Sequence, residues 1–324
     1  MSRLKKYILT AFLYLVTILI FHFISGPEFW GQLGKWYWVG AIALWCLVSI
    51  YFLWALYRES QGKLTWGRLM FIIWEKYRFL MEQLISRDFK VKYKRSVLGY
   101  LWSFLNPLLT MLVQYIVFST IFDTGVDNYP VYLLSGAIMF SFFSEAVGQG
   151  LTAIVYNASL ITKVYVPKYI YPVTKVMSSS INLLISIIPL LLVTLLTGQK
   201  LTKAVFLLPY PVICLVLFCI GLSLILCSLM VFFRDTQYLW GIVNMAWMYA
   251  TPMFYPESII PPKYRLVLWL NPMRHIIKFV RTILIDGVSP GPISYLCCFL
   301  SALLTCIIGI IVFKKTQNKF VIHI

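Results

Sequence analysis

The chain has 324 residues, of which 60% are hydrophobic and only 12% are charged. Soluble domains carry about 25% charged residues, so this composition excludes a soluble globular protein. The net charge of +17 therefore indicates membrane topology and contact with lipid headgroups. Nucleic-acid binding is disfavoured, because no soluble domain is available to present a basic face.

The apolar runs are long and continuous, which favours membrane-spanning helices over a β-barrel, whose strands alternate apolar and polar residues. We therefore predict an all-α polytopic membrane protein. Eight runs approach the roughly 20 residues needed to cross about 30 Å of hydrocarbon. Two make an extra N-terminal hairpin in residues 1–60, and six make a core in residues 97–324. The predicted spans are Tyr7–Ser25, Trp36–Tyr57, Leu98–Phe122, Val131–Ala153, Ile170–Thr197, Ala204–Phe233, Tyr238–Tyr255 and Ser294–Phe313.

Charge predicts the orientation of these spans. When the N-terminus is placed in the cytoplasm, most of the 28 Lys and Arg residues fall on cytoplasmic segments. The positive-inside rule therefore predicts that both termini are cytoplasmic. Several basic residues fall instead in the outer segment 258–286, and we expect them at the outer headgroups. They are Lys263, Arg265, Arg274, Lys278 and Arg281.

Residues 61–96 combine a polar connector with a predicted amphipathic helix. Apolar residues recur at helical spacing from Trp66 to Arg95 with charges mostly between them, which predicts a helix in the cytoplasmic headgroup plane. Its basic end is either a simple anchor or the place where a phosphate-bearing substrate reaches the membrane path. Lys and Arg bind phosphate through charge-assisted hydrogen bonds. The candidate lipid-diphosphate residues are Arg87, Lys90, Lys92, Lys94 and Arg95.

Glu145 lies within a predicted span, close to Gln149 and two glycines. A carboxylate inside the membrane is costly and usually faces a cavity or a partner. The alternative is that Glu145 marks the inner end of a shorter span. The sequence leaves both interpretations open.

The cytoplasmic loop at residues 156–175 contains Pro167 and Pro172 and has room for one short helix near residues 158–164. The loop is either a plain connector or a docking knob for a soluble partner. In the second case its apolar residues would supply the buried anchors of the interface. These anchors are Leu160, Ile161, Val164 and Tyr165.

Prolines punctuate residues 251–287, and proline ends or kinks a helix. We therefore predict a broken pair of short helices at the outer face, over residues 263–270 and 272–285. The aromatic residues of this segment fit an interfacial belt; alternatively, the segment is a gate over a pore mouth. The gate candidates are Trp269, Asn271 and Arg274.

Motifs for catalysis are absent from the sequence. It has 3 His residues and no P-loop, HExxH motif or glycine-rich nucleotide motif. Its 11 acidic residues are scattered, whereas a lipid-linked sugar transferase, the alternative enzyme class, needs a polar loop with several acid–base groups. We predict that the chain is not an enzyme, holds no metal or cofactor, and depends on another chain for ATP chemistry.

Four segments together carry a family resemblance: SRDFKVKYKRSVLGYLWSFLNPLL before the first core span, LITKVYVPKYIYP after the second, FFRD after the fourth, and YPESIIPPKYR with LNPMRHIIKFVR before the last. Their order over roughly residues 81–320 resembles the permease subunit of ABC-2 type polysaccharide exporters. That family includes export permeases for O-antigen, capsule and teichoic acid. The extra N-terminal hairpin departs from its usual six spans.

The resemblance implies a homodimer in the cytoplasmic (inner) membrane, enclosing a channel for a polysaccharide attached to a polyprenyl diphosphate. Two separate ATPase subunits would supply ATP and Mg²⁺. An ABC-2 exporter of a drug or a simple lipid is the alternative. The implied ATPase-docking loop comprises Asn157, Ser159, Leu160, Ile161, Lys163, Val164 and Tyr165.

Aromatic faces bind sugars well, and aromatic residues of the core spans either line such a path or face lipid. The candidates for the channel lining are Tyr100, Trp102, Tyr115, Phe118, Trp240, Trp247, Tyr249, Phe254 and Tyr255.

Overall fold

The computed structural model describes Trp54 and residues 66–94, 96–121, 128–163 and 166–323. Apart from Trp54, the predicted N-terminal hairpin lies outside these ranges. The regular secondary structure of the described residues is helical, which agrees with the predicted fold class. The α-helices are α1 (Trp66–Tyr93), α2 (Leu101–Ile121), α3 (Tyr129–Tyr156), α4 (Ala158–Lys163), α5 (Ile170–Leu196), α6 (Pro209–Phe232), α7 (Thr236–Ala250), α8 (Arg265–Leu270), α9 (Pro272–Arg281), α10 (Pro292–Thr316) and α11 (Phe320–His323).

Five helical segments in the described part of the chain are long and apolar enough to cross a membrane: α2, α3, α5, α10, and α6 with the 3₁₀ turn Lys203–Leu207 that precedes it.

Local sequence explains where several of these helices begin and end. α3, α6 and α10 each carry proline in the first turn, where the fixed backbone angle of proline suits a helix start. α5 ends beside Gly198, whose φ of 82° is typical of the residue after a helix.

The predicted span Tyr238–Tyr255 is shorter in the structure. α7 has 15 residues, which gives a length of about 22 Å against the roughly 30 Å of hydrocarbon. Pro252 disfavours the helical conformation of the residue before it, and Thr251 is accordingly extended, with a ψ of 125°. The sixth crossing of the core therefore stays a prediction.

α3 lies at the centre of the bundle and packs against α2, α5, α6 and α9. It is buried on nearly all sides, as expected of a helix that is apolar around its whole circumference. The fully buried Phe143 ring has its centroid 5.8 Å from that of Phe218, 5.9 Å from that of Trp240 and 5.1 Å from that of Trp247. This aromatic cluster joins α3 to α6 and α7.

α6 and α10 form an extensive helix pair because two glycines let their backbones meet. A methyl group on Gly309 would collide with the backbone oxygen of Gly221, and one on Gly221 would collide with the backbone of Thr305. Helices in lipid gain no hydrophobic driving force from meeting, so such small residues favour close van der Waals packing.

The short helices lie at opposite ends of the bundle. At one end, α1 packs on α5, and its Leu84 shares a buried cluster with Ile161 of α4; this is the α4 end. At the other, α9 lies beside the first turns of α3, and α8 packs against α9; this is the α9 end. The predicted loop helix is confirmed as α4, and the predicted broken pair is confirmed as α8 and α9.

Candidate functional site

A polar cluster lies where the end of α1 meets α3 and α5. The Lys92 ammonium of α1 lies 2.8 Å from each carboxylate oxygen of Glu145 in α3. Glu145 stands about three turns, or roughly 16 Å, before the end of α3. The structure agrees with the first interpretation from sequence in that Glu145 faces a partner and a cavity.

Three neighbours complete the surroundings of the Glu145 carboxylate. Its Oε1 accepts hydrogen bonds from Gln149 Nε2 at 3.1 Å, Ser179 Oγ at 3.3 Å and Asn182 Nδ2 at 3.2 Å. These bonds offset part of the cost of placing a charge in an apolar span. Sequence reasoning missed Asn182, although the polar run at residues 178–182 in an otherwise apolar span was a usable signal.

A second carboxylate fastens α1 to the core. Asp88, whose side chain is 10% exposed, pairs with Lys175 Nζ of α5 at 2.9 Å. It also accepts a bond from the adjacent Arg87 Nη2 at 3.0 Å. α1 is therefore joined to α3 by the Lys92–Glu145 pair and to α5 by the Asp88–Lys175 pair.

A cavity of about 490 Å³, which we call the junction cavity, opens beside these two ion pairs. Its walls are formed by Asp88, Phe89, Val91, Lys92, Glu145, Gln149, Lys175, Ser178 and Asn182. A smaller cavity of about 70 Å³ shares Glu145 and Asn182 with it and lies between α2, α3 and α5. The polar residues that line only the smaller cavity are Asn106, Thr110, Ser141, Ser179 and Ser186.

The predicted lipid-diphosphate residues fall into two groups. Arg87 and Lys92 are paired with carboxylates, whereas Lys90 and Lys94 are exposed at the end of α1. Arg95 lies outside the described residues. A phosphate arriving here would meet the two exposed lysines first and would have to compete with carboxylates for the other two cations.

α4 presents one face to the core and one to the surface. The buried Asn157 precedes it, and its Nδ2 donates to Ala153 O at 2.7 Å, which fixes the turn from α3. Ile161 packs into the core, with 9% of its surface exposed. The exposed docking candidates are Ser159, Leu160 and Lys163. Two further docking candidates lie outside the described ranges: Val164 and Tyr165.

The loop after α4 is tied to the end of the chain. Lys168 Nζ donates to Gln317 O at 2.6 Å and lies 5.8 Å from the centre of the Phe320 ring. Partial burial lowers the pKa of Lys168. The loop that follows α4 is therefore held in place by residues far from it in sequence.

The candidate channel aromatics divide between the core and the surface of the bundle. Phe254 is buried and stacks on Phe118 at 5.1 Å between ring centres, and Trp240 and Trp247 belong to the aromatic cluster around α3. Tyr255 is half-buried. The exposed candidates, on α2, its preceding turn and α7, are Tyr100, Trp102, Tyr115 and Tyr249.

Asn271, one of the gate candidates, organises the α9 end. Its Oδ1 caps α9 by accepting from Met273 N at 3.0 Å and also accepts from Trp247 Nε1 at 2.9 Å. Its Nδ2 donates to Thr251 Oγ1 at 2.9 Å. Trp269, the second gate candidate, is 55% exposed. Asn271 therefore links the end of α7 to the start of α9.

Arg274, the third gate candidate, forms a two-pronged ion pair with Glu257, with N–O distances of 2.8 and 2.6 Å. Burial alone would raise the pKa of Glu257. The hydrogen bonds and charge of Arg274, with the nearby Lys278 and Arg281, lower the pKa overall. The pair holds the irregular segment before α8 against α9.

Arg281 corrects the expectation that all basic residues of the outer segment lie at headgroups. Its side chain is buried, and its guanidinium donates to Pro252 O at 2.8 Å, Tyr132 O at 3.0 Å and Met253 O at 3.1 Å. It also lies 3.3 Å from the centre of the Tyr132 ring. The buried carbonyls past the end of α7 need donors, and Arg281 supplies them.

Comparison with known proteins places the chain in a family. Residues 80–285 match the family described as "ABC-2 type transporter". The chain is 30% identical over 244 residues to the O-antigen export system permease protein RfbA of Klebsiella pneumoniae, covering 74% of this chain and 93% of that protein. It is 36% identical over 200 residues to RfbA of Myxococcus xanthus, covering 61% and 77%.

A more distant relative is the polysialic acid transport protein KpsM of Escherichia coli, 25% identical over 250 residues, which cover 75% of this chain and 96% of KpsM. The matched residues contain α3, α4 and the polar cluster at the end of α1. Together with the five apolar spans, these matches indicate a multi-pass transport permease and not an enzyme. The chain belongs to the ABC-2 type transporter family.

Proposed function

We propose that the chain is the membrane-spanning subunit of an ATP-driven exporter that moves a lipid-linked polysaccharide, such as O-antigen, across the cytoplasmic membrane. The observation that carries this proposal is the similarity to an O-antigen export permease over 74% of the chain and 93% of that relative. The junction cavity gives a polar approach to the bundle that such a cargo requires.

The α4 end faces the cytoplasm in this proposal. Exposed cations gather there at the end of α1, on α4 and at the end of α10. The positive-inside rule favours the cytoplasm for that end and for both termini. These exposed residues are Lys90, Lys94, Lys163, Lys314 and Lys315. The α9 end then faces outward.

A second copy of the chain would complete the path. Only 6% of the apolar window of α2 is buried within the protomer, and α7 exposes large apolar side chains such as Ile242 and Val243. A homodimer formed across these helices would bring the exposed aromatic residues of α2 and α7 towards the partner. Membrane lipids would cover the remaining apolar surface.

Two ATPase subunits would dock at α4 and bind ATP and Mg²⁺ themselves. The surface of α4 offers one apolar side chain, Leu160, flanked by the polar Ser159 and Lys163. An apolar anchor within a polar rim is the usual composition of a protein interface. Movement of α4 would pass directly into α3, because one turn at Asn157 connects the two helices.

The test is deletion of the gene from the strain that carries it, followed by complementation. We expect loss of one surface polysaccharide and accumulation of that polysaccharide in the cytoplasm, both reversed by the wild-type gene. Normal surface polysaccharide in the deletion strain would reject the proposal and favour a drug or simple lipid as cargo.

A capsule polysaccharide is the second candidate cargo. The similarity to proteins named as transporting polysialic acid and capsule polysaccharide favours it, at 25% and 23% identity. Chemical analysis of the polysaccharide lost from the deletion strain separates the two candidates.

A further inference from the structure

We infer that the junction cavity binds sugar units of the cargo, and not its phosphate groups. This inference rests on the proposed function and adds where on the chain the polysaccharide is recognised. The position of the cavity suits this role, because it lies towards the α4 end, between the last turns of α1, the second half of α3 and the first half of α5.

The charge of the walls argues against a phosphate ligand. Two ammonium groups, from Lys92 and Lys175, and two carboxylates, from Asp88 and Glu145, line the cavity. Each ammonium is already paired with a carboxylate at 2.8–2.9 Å. A phosphate is bound by an excess of cationic and N–H donors, whereas here it would approach two carboxylates and be repelled.

The polarity of the walls argues against a lipid chain. Apart from Phe89 and Val91, the residues around the junction cavity are charged or carry an amide or hydroxyl group. An acyl or prenyl chain placed there would leave these polar groups without hydrogen bonds to water, which is costly. The cavity is therefore suited to a ligand that is itself polar and uncharged.

A saccharide matches what remains. Each sugar hydroxyl both donates and accepts hydrogen bonds. The walls offer carboxylate acceptors on Asp88 and Glu145, and the side-chain amides of Gln149 and Asn182 each carry a donor and an acceptor. Phe89 supplies an apolar wall for the C–H face of a sugar ring. A volume of about 490 Å³ lies within the roughly 300–1,000 Å³ of ordinary small-molecule sites.

Phe89 is also held in place by its surroundings. Its ring is parallel to that of Tyr100, with an angle of 6° between the planes and 5.1 Å between the centres. Such stacking of two aromatic rings is favourable beyond the apolar area that it buries. The Phe89 wall of the cavity is therefore braced by the segment that leads into α2.

The smaller cavity extends the same chemistry deeper into the bundle. It shares Glu145 and Asn182 with the junction cavity, and the other polar groups around it are uncharged amides and hydroxyls. Two ligand groups would therefore be bound at different places near the end of α1. The exposed Lys90 and Lys94 lie where a diphosphate would sit at the headgroups, and the sugar next to it would reach the cavity.

Photo-crosslinking in the native strain tests this inference. The photoreactive amino acid p-benzoylphenylalanine replaces Val91 or Ser178, two residues that line the junction cavity. Val97 is the matched control, since it is a fully exposed valine outside the cavity. After illumination, the permease is purified and probed for attached polysaccharide, before and after mild acid cleaves the sugar–diphosphate linkage.

We expect severalfold more polysaccharide adduct at Val91 and Ser178 than at Val97, and we expect the adduct to keep its sugar after mild acid. Loss of the sugar in mild acid would show that the crosslink joins the lipid or its phosphate, which would overturn the inference. Absence of adduct at both positions, in variants that restore surface polysaccharide, would overturn it too. If no adduct forms in variants that still export, the proposed function would stand without the inference. Normal surface polysaccharide in the deletion strain would instead reject both the proposed function and the inference.

Discussion

Lys92 and Glu145 join the end of the helix α1 to the span α3, with the ammonium 2.8 Å from both carboxylate oxygens. The two residues are 53 positions apart in sequence. Because the side chains are 38% and 28% exposed, the pair contributes modest stability, of about 1 kcal/mol or less. Its structural effect is to hold α1 beside the junction cavity.

A charge-swap cycle tests this pair. Lys92→Glu and Glu145→Lys should each lower the thermal midpoint of the purified protein, because each places like charges together. The double variant should recover part of the loss, with a coupling of about 1 kcal/mol. Thermal unfolding of the four proteins in one detergent measures it. Strictly additive losses would mean that the ion pair does not form.

The two apolar residues of α4 should behave differently, because Ile161 is buried and Leu160 is exposed. Leu160→Asp should abolish co-purification with the ATPase subunit and leave the permease at its normal level in the membrane. Ile161→Asp should lower that level, since it buries a carboxylate without a partner. Immunoblots of membranes and of affinity-purified complexes measure both effects. Retained ATPase binding by Leu160→Asp would place the docking surface elsewhere.

Arg281 should be required for stability of the α9 end. Arg281→Met removes a donor from three backbone carbonyls. Pro252 O and Tyr132 O keep bonds from the Tyr132 and Ser135 hydroxyls, so the cost of an unpaired buried acceptor falls mainly on Met253 O. We expect a loss of about 1–3 kcal/mol in the free energy of unfolding, with incomplete rescue by Arg281→Lys, whose ammonium lacks the fork geometry. Arg265→Met, at an exposed basic residue of the same segment, is the matched control for denaturant unfolding. Equal stability of the Arg281 and Arg265 variants would contradict this role.

The packing of α6 on α10 should depend on its glycines. Gly309→Val and Gly221→Val would each push a side chain into the opposing backbone and should strongly reduce the amount of folded protein in the membrane. Gly241→Ala in α7 is the control, because nothing lies within 4 Å of its added methyl group. Fluorescence-detected size exclusion of tagged variants measures the folded fraction. Wild-type behaviour of both valine variants would refute the close approach.

The Glu257–Arg274 pair predicts that stability at the α9 end depends on pH. The folded-state pKa of Glu257 is lowered, so its contribution to stability is present above the unfolded pKa of about 4.3. That contribution is lost as the pH falls through the lower folded-state pKa. Glu257→Gln should therefore lower the melting temperature near neutral pH, and the difference from wild type should shrink in acid. Glu82→Gln, which breaks the exposed Arg78–Glu82 pair, is the control and should show little effect at any pH. A difference for Glu257→Gln that does not shrink in acid would contradict the lowered pKa.

The long apolar runs predicted the described spans to within a few residues. This was possible because both signals, a continuous apolar stretch and the prolines that limit it, lie within one segment of the sequence. The exception is α7, where Pro252 ends the helix before the apolar run ends. The short helices α4, α8 and α9 were also predictable from their prolines and spacing. In each case the signal lies within one segment of sequence.

The partners of charged residues were not predictable in the same way. Arg281 was expected at the headgroups and instead binds Tyr132 O, 149 positions away. Glu145 was recognised as unusual, but its partner Lys92 depends on how α1 meets α3. Such pairs are decided by helix packing, and a single sequence carries no direct signal for which distant residues meet.

Transport in inverted membrane vesicles tests the central claim most directly. Vesicles carrying the chain and its ATPase partner would be loaded with labelled lipid-linked polysaccharide on their outer, originally cytoplasmic, face. We predict that ATP makes the polysaccharide inaccessible to an added glycosidase, and that vesicles without the chain show no such protection. Protection that appears without ATP or without the chain, or no protection when both are present, would contradict polysaccharide export by this protein.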